Sequence, residues 1–281
     1  MRDERSRGIR ALTRPLSVSE EPERLFVDVV CTTPAGLDVF NVVAGSIIEL
    51  VHAGTDPPDA VRTTLGRWRR FWGVVPESGL TDEEVRGLFG ELWFLDVWLL
   101  PRGHEQLRHW VGPWGARHDF QWAHLAIEVK ATVSVRGHVH RINGIDQLEP
   151  PNGGDLQVFS LRIREEATAS NSITTLIDRI SSDLADESEL MDLFETRLAQ
   201  AGYSPLHADR YRELRFRIVN ERLYRVAAGF PRLSLSSFVG GLPTGIEEIQ
   251  YDVDLDVCPQ LLVASSPADL VLPPGEGRAE S

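Results

Sequence analysis

From Arg117 to Lys130 the chain alternates apolar and polar positions twice, in Arg117-His118-Asp119-Phe120-Gln121-Trp122 and in Leu125-Ala126-Ile127-Glu128-Val129-Lys130. Alternation with period two marks a half-buried strand, so the pattern predicts a hairpin turning at Ala123-His124. In that register Trp122 faces Leu125, Phe120 faces Ile127 and His118 faces Val129, on an almost wholly apolar face. The other face pairs Gln121 with Ala126, Asp119 with Glu128 and Arg117 with Lys130. Residues i and i+2 share a face of a strand, so Glu128 and Lys130 point the same way. Directly opposed Cβ atoms lie about 5 Å apart, which sets Asp119 beside Glu128. Ala-His is not a favoured two-residue turn, and a slip of one residue would carry Asp119 to the wrong face.

The rest of the chain reads as an alternation of helices and short strands. Thr81-Asp82-Glu83-Glu84 is a capping box and opens a helix predicted to run to Leu100, before Pro101. Its buried stripe is Val85, Leu88, Phe89, Leu92, Leu95 and Leu99, with Glu91 at the edge of the stripe. Gly87 and Gly90 weaken that helix, so a close approach to a sheet or to a nucleic-acid backbone is expected there. Upstream, Leu25–Val30, Leu37–Val43 and Ile47–Val51 read as strands, the first two joined by a turn at Thr33-Pro34-Ala35-Gly36. Asp59–Trp72 reads as a helix carrying Arg62, Arg67, Arg69 and Arg70. Downstream, Val133–Ile142 reads as a strand at a cleft rim, Gln147 lies in a short helical segment, and Leu156–Ile163 completes a core sheet. Ser172–Ala185 and Ser188–Ala201 are helices with acidic outer faces. Leu214–Val226 reads as a hairpin turning at Asn220-Glu221, with further strands at Leu233–Phe238 and Ile249–Val257.

These segments predict an α/β (α+β) fold in four regions. They are an N-terminal β-rich region with an Arg/Trp helix (1–75), a core (76–200), a C-terminal β-rich region (201–265) and a flexible tail (266–281). Residues 1–22 are polar and expected to be frayed or peripheral. The N- and C-terminal strands are expected to meet as a second small sheet.

Charge changes the picture in one place. The chain carries a net charge of −13, which argues against a general nucleic-acid coat. Yet Ala60–Arg141 holds 11 Lys plus Arg against 9 Asp plus Glu and six of the eight histidines, so it is the electropositive part of an acidic protein. The single lysine of the chain is Lys130. Arginine is planar and always charged, whereas lysine is a compact point charge, the kind suited to hold or deprotonate a water beside a metal. No run of eighteen apolar residues suggests a membrane span, and the start lacks the apolar stretch of a signal peptide, so a cytoplasmic location is expected. Cys31 and Cys258 are expected to be buried free thiols.

Two carboxylates side by side repel unless a divalent ion sits between them, and Mg²⁺ takes one or two carboxylates and keeps several waters. Asp119, followed by Glu128-Val129-Lys130 in an apolar strand, resembles the PD-(D/E)XK nuclease superfamily. The preceding helix Gly87-Leu88-Phe89-Gly90-Glu91-Leu92-Trp93 resembles its first core helix. The run Gly115–Thr132, with His140-Arg141-Ile142 and Asp146-Gln147-Leu148, is similar to a set of PD-(D/E)XK proteins found among bacterial restriction and phage-defence genes. His118 stands where the motif has proline. The resemblance covers roughly residues 80–165 and implies a restriction-endonuclease-like αβββαβ core with a mixed central sheet. It implies Asp119, Glu128 and Val129 as metal ligands, Lys130 as the residue activating water, and Glu91 as an auxiliary acid. It also implies Mg²⁺, with Mn²⁺ as a substitute, and hydrolysis of phosphodiester bonds in nucleic acid, double-stranded DNA foremost, in restriction or phage defence. The residue pattern itself nominates Arg117, Arg136, His138, His140, Arg141 and Gln147 for nucleic-acid contact. A homodimer or a defence-complex partner is a further expectation. The alternatives are a non-catalytic nucleic-acid-binding or assembly subunit, and a metal enzyme acting on another phosphate ester.

Overall fold

The computed structural model describes residues 2–3, 9–16, 24–31, 37–71, 79–246 and 248–273. Contacts divide the chain into one unit of residues 1–79 with 198–208, and a second of residues 80–197 with 209–281.

In the first unit β1 (Arg2–Asp3), β2 (Ile9–Leu16) and β3 (Arg24–Cys31) form an antiparallel sheet with α1 (Leu37–His52) and α2 (Pro57–Phe71) beside it. Part of the segment expected to be frayed is thus a strand, because all eight residues of β2 pair with β3. Its inward residues Ile9 and Ala11 pack with Val43, Val61 and Leu65. The strands expected over Leu37–Val43 and Ile47–Val51 are one helix instead. Phe40, Val43 and Ile47, which join that same cluster, recur at helical rather than strand spacing. The turn predicted at Thr33–Gly36 lies outside the described residues. Of the α2 arginines, Arg62 is exposed and paired with Asp59 at 2.7 Å; the side chains of Arg67, Arg69 and Arg70 lie outside the description.

The second unit holds the predicted αβββαβ arrangement. Its elements are α3 (Asp82–Trp93), β4 (Phe120–Gln121), β5 (Leu125–Thr132), β6 (Val139–Asn143), β7 (Asp155–Glu165), α4 (Ile173–Asp183), α5 (Ser188–Gln200), α6 (Ala208–Glu213), β8 (Phe216–Arg225), β9 (Gln250–Asp254) and β10 (Leu262–Ala264), with the end of α5 from Leu198 and the first residue of α6 counted in the first unit. Five strands make a mixed sheet in the order β10-β8-β7-β5-β4. β5 and β7 are parallel, and the other neighbours are antiparallel. The strands β6 and β9 form a separate antiparallel ribbon. The expected second small sheet of N- and C-terminal strands is not among the sheets of the described residues: β8 and β10 extend the core sheet, and β9 pairs with β6.

Both faces of this sheet are covered. On one, Phe94 packs against Phe120 and Phe159, and Phe89 against Phe216. The Thr81 capping box is present, and the predicted stripe from Val85 to Leu99 is buried throughout. After Trp93 the helix widens into a π-helical segment, Phe94–Leu99. On the other face Ala126, Leu156, Val158 and Tyr224 pack with Ile142, Val253 and Leu255 from the ribbon and the turn after it. Burial of β5 on both faces differs from the half-buried strand that alternation predicts, because the ribbon roofs the face taken for solvent.

Three more expectations change. Within the segment Leu214–Val226 lies one strand, Phe216–Arg225, with a register shift where Arg162 pairs with Asn220 and Ile163 with Ile218. A bulge at Val219 replaces the expected turn, since β7 is long enough to pair along the whole segment. Leu233–Phe238 contains a 3₁₀ turn at Leu235–Ser237 instead of a strand. The tail is anchored as far as Leu270, which is buried, by Arg102 donating to the Pro267 and Leu270 carbonyls; residues 274–281 lie outside the description. Cys258 is buried and Cys31 half-buried, and neither is in a disulfide.

A glycine accounts for how closely α3 rides on β5. A Cβ at Gly90 would lie 3.1 Å from Ala131 Cβ and 3.2 Å from Val129 Cγ1. We therefore expect Gly90→Val to cost about 1–3 kcal/mol through overpacking, read as a lowered midpoint in thermal denaturation.

Candidate metal and catalytic site

The hairpin register is the one the pattern predicts: Phe120 pairs with Ile127 and Gln121 with Ala126, and the Trp122 N–H donates to the Leu125 carbonyl at 2.7 Å. The ladder stops there. Asp119 lies one residue beyond it, and its carboxylate accepts the Val129 N–H at 2.7 Å. That N–H faces the edge of β5 that β4 no longer covers. The Asp119 backbone carbonyl in turn accepts the N–H groups of Val111 and Gly112.

Glu128 and Lys130 share the ribbon-covered face of β5. The Lys130 Nζ donates to Glu128 Oε1 at 2.8 Å and to Gln147 Oε1 at 3.2 Å. Gln147 Oε1 also accepts the Asn143 N–H at 3.0 Å, so the lysine is tied to the ribbon. Gln147 sits in a turn rather than a short helix. Glu91 enters from α3, where its carboxylate accepts the Trp110 Nε1–H at 2.6 Å. A Cβ at Gly112 would lie 2.9 Å from Asp119 Oδ1 and 3.3 Å from Glu91 Oε2, so this glycine lets the two carboxylates share one corner. A cavity of about 350 Å³ is lined by Glu91, Asp119, Glu128, Val129 and Lys130, with Glu83, Arg86 and Gly87 from α3 and His140, Arg141 and Gln147 from the ribbon side.

The electrostatics follow from three carboxylates and one ammonium in a confined place. Burial, then Asp119, drives the Glu91 carboxyl well above the usual range. Burial also raises Asp119. For Glu128 burial, with Asp119 next, pushes the value up to about 8. Burial alone would depress Lys130, but Glu128 and Asp119 outweigh it and hold the ammonium charged. The cluster is therefore short of positive charge, and without a cation it keeps protons. Among the described residues no three histidine, cysteine, aspartate or glutamate side chains form a ready cage for a metal. Two carboxylates, a backbone carbonyl and several waters suit Mg²⁺, which seldom takes an all-protein shell.

The nominated nucleic-acid contacts fare unequally. Arg141 lines the cavity, exposed and paired with Asp252 at 2.6 Å. Arg117 and Arg136 are exposed but do not line it. The expectation for His138 and His140 is corrected: both are buried. Each has a ring nitrogen 2.5 Å from Ser160 Oγ, and His138 Nε2 is 3.0 Å from Asn220 Oδ1. With Asn220 Oδ1 accepting from His138, the Ser160 hydroxyl donates to His138 and accepts from His140. Burial, with Arg222 next, lowers His138 to about 4; burial, with His138 next, lowers His140 to about 3. Neither supplies charge to a phosphate. The pair instead ties β6 to the sheet.

This tie has a pH signature. A histidine whose pKa falls on folding binds fewer protons folded than unfolded, so its stabilising effect is full above about 6.5 and is lost as pH falls toward the folded value. Thermal melting should drop between pH 7 and 5, and a His138→Gln/His140→Gln double variant should show a flatter profile over that interval.

Sequence reasoning missed Arg86, Trp110 and Gly112. Glu83, Arg86, Gly87 and Glu91 recur at helical spacing, which is the signal that could have found Arg86. Trp110 and Gly112 lie in a non-periodic stretch that carries no such signal.

Compared with known families, residues 6–256 match the model of the family described as "Putative PD-(D/E)XK family member, (DUF4420)". Neither the curated proteins nor the solved structures contain a significant match.

Proposed function

The chain belongs to this PD-(D/E)XK family, and on that premise we propose that the cleft hydrolyses phosphodiester bonds in nucleic acid with the help of a divalent metal. The observation that carries the reading is the convergence of Asp119, Glu128 and Lys130, with Glu91 beside them, on one cavity. In this reading Asp119 and Glu128 hold Mg²⁺ or Mn²⁺. The Val129 carbonyl joins them, because a strand residue directs N–H and C=O to the same side and the Val129 N–H already faces Asp119. When bound, the metal lowers the pKa of a water and stabilises charge on the phosphate. Lys130, oriented by Glu128 and Gln147, holds the attacking water or steadies charge on the scissile phosphate. Glu91, whose buried carboxyl holds its proton unless a cation is bound, stands at the back of the site as an auxiliary acid. Arg86 and Arg141 supply cations at its mouth for the flanking backbone.

Double-stranded DNA is the proposed substrate, and restriction or phage defence the proposed setting. Gly87 supports close approach of a nucleic-acid backbone: it lines the cavity, yet nothing lies within 4 Å of where its Cβ would be. Among the described residues no neighbour requires a glycine there. The test is a cleavage assay on supercoiled plasmid, single-stranded DNA and RNA with Mg²⁺, Mn²⁺ or Ca²⁺. Nicking or linearisation of plasmid with Mg²⁺ or Mn²⁺ and none with Ca²⁺ is expected. Binding of DNA without cleavage under any metal would instead establish a non-catalytic binding subunit.

A further inference from the structure

The chain between β5 and β6 has no part in the catalytic reading, and its composition is unusual for this acidic protein. From Ala131 to Arg141 it contains no carboxylate. Val135 is 93% exposed and Val133 46% exposed. Scattered exposed aliphatics are ordinary on protein surfaces, but these two lie two residues apart in one short loop, and Val133 lines the catalytic cavity. Arg136, beside Val135, is exposed and has no ion pair among the described residues.

The loop is also held in shape. Thr132 Oγ1 accepts the Ser134 N–H and Ser134 Oγ accepts the Arg136 N–H, each at 3.1 Å. Gly137 takes a left-handed φ of 120°, and a Cβ there would lie 2.1 Å from Asp256 Oδ2, the atom that accepts the His138 N–H at 3.0 Å. Val133 at the cavity and Val135 two residues further along are thus held in one shaped loop, at little further cost in ordering on binding.

We propose that the loop Thr132–Gly137 is a groove-contacting wedge for duplex DNA. Val133 and Val135 pack against the sugar and base edges next to the scissile phosphate, and Arg136 neutralises a phosphate beside it. Apolar side chains at such positions engage a groove wall, where phosphate contacts supply position and salt-dependent affinity. The inference rests on the nuclease reading of the neighbouring cleft.

The test measures affinity for duplex DNA by fluorescence anisotropy across a salt series, with Ca²⁺ in place of Mg²⁺, alongside plasmid cleavage with Mg²⁺. Val135→Ser should weaken binding about tenfold, the worth of burying a valine side chain, with the salt slope unchanged. Arg136→Ala should lower the slope by about one. Val135→Leu, which keeps an apolar tip, should bind like wild type, and thermal melts should confirm that all three variants fold. If wild type binds and cleaves while Val135→Ser matches it at every salt concentration, the wedge is overturned and the nuclease reading stands. If wild type neither binds nor cleaves duplex DNA, both are overturned.

Discussion

Lys130→Arg is expected to be nearly as inactive as Lys130→Ala, each losing about 10²- to 10⁴-fold in single-turnover cleavage while remaining folded. The lysine is held at one point, between Glu128 Oε1 at 2.8 Å and Gln147 Oε1 at 3.2 Å. A guanidinium keeps the charge but spreads it over a broad planar fork, which does not fit a place shaped for one ammonium and mismatches a single water. If charge alone mattered, arginine would retain most of the rate. Near wild-type cleavage by Lys130→Arg would therefore remove the water-holding role and leave the fold untouched. Circular dichroism of both variants separates lost chemistry from lost structure.

Asp119→Ala should abolish the stabilisation that Mg²⁺ or Mn²⁺ gives the wild-type protein. A ligand that binds only the folded state raises the melting temperature by mass action. At one hundred times its Kd the gain is about 2.7 kcal/mol, or several degrees for a chain of this size. Asp119 and Glu128 are the carboxylates whose mutual repulsion a divalent ion would relieve. The response should also depend on pH. The Glu128 carboxyl is pushed up to about 8, so below that value a proton competes with the metal, and apparent affinity rises as pH climbs from 6 to 8. An undiminished divalent response in Asp119→Ala, by thermal shift or calorimetry, would move the metal elsewhere. Ca²⁺ should stabilise without supporting cleavage, since its geometry is looser and its oxygen distances longer.

The alternation of Phe120, Gln121 and Trp122 against Leu125, Ala126 and Ile127 by itself determined the hairpin register, because a shift of one residue would reverse every side chain. The Thr81 box and the 3.6-residue stripe from Val85 to Leu99 likewise determined where α3 begins and which face it buries. Local patterns of this kind are legible because each residue's partner is near in the chain or fixed by a period. The tertiary structure decided what no period contains. It roofed the Glu128 face with β6 and β9, whose partners lie more than a hundred residues apart, and so turned a solvated charge row into a buried cluster with displaced pKa values. It drew His138 and His140 inward to Ser160, although sequence position alone had them facing nucleic acid. It began β4 one residue after Asp119, freeing that carboxylate to take the Val129 N–H instead of a place in the ladder. Burial and long-range pairing depend on which segments meet in space, and the two-residue reach of a side-chain pattern does not encode that.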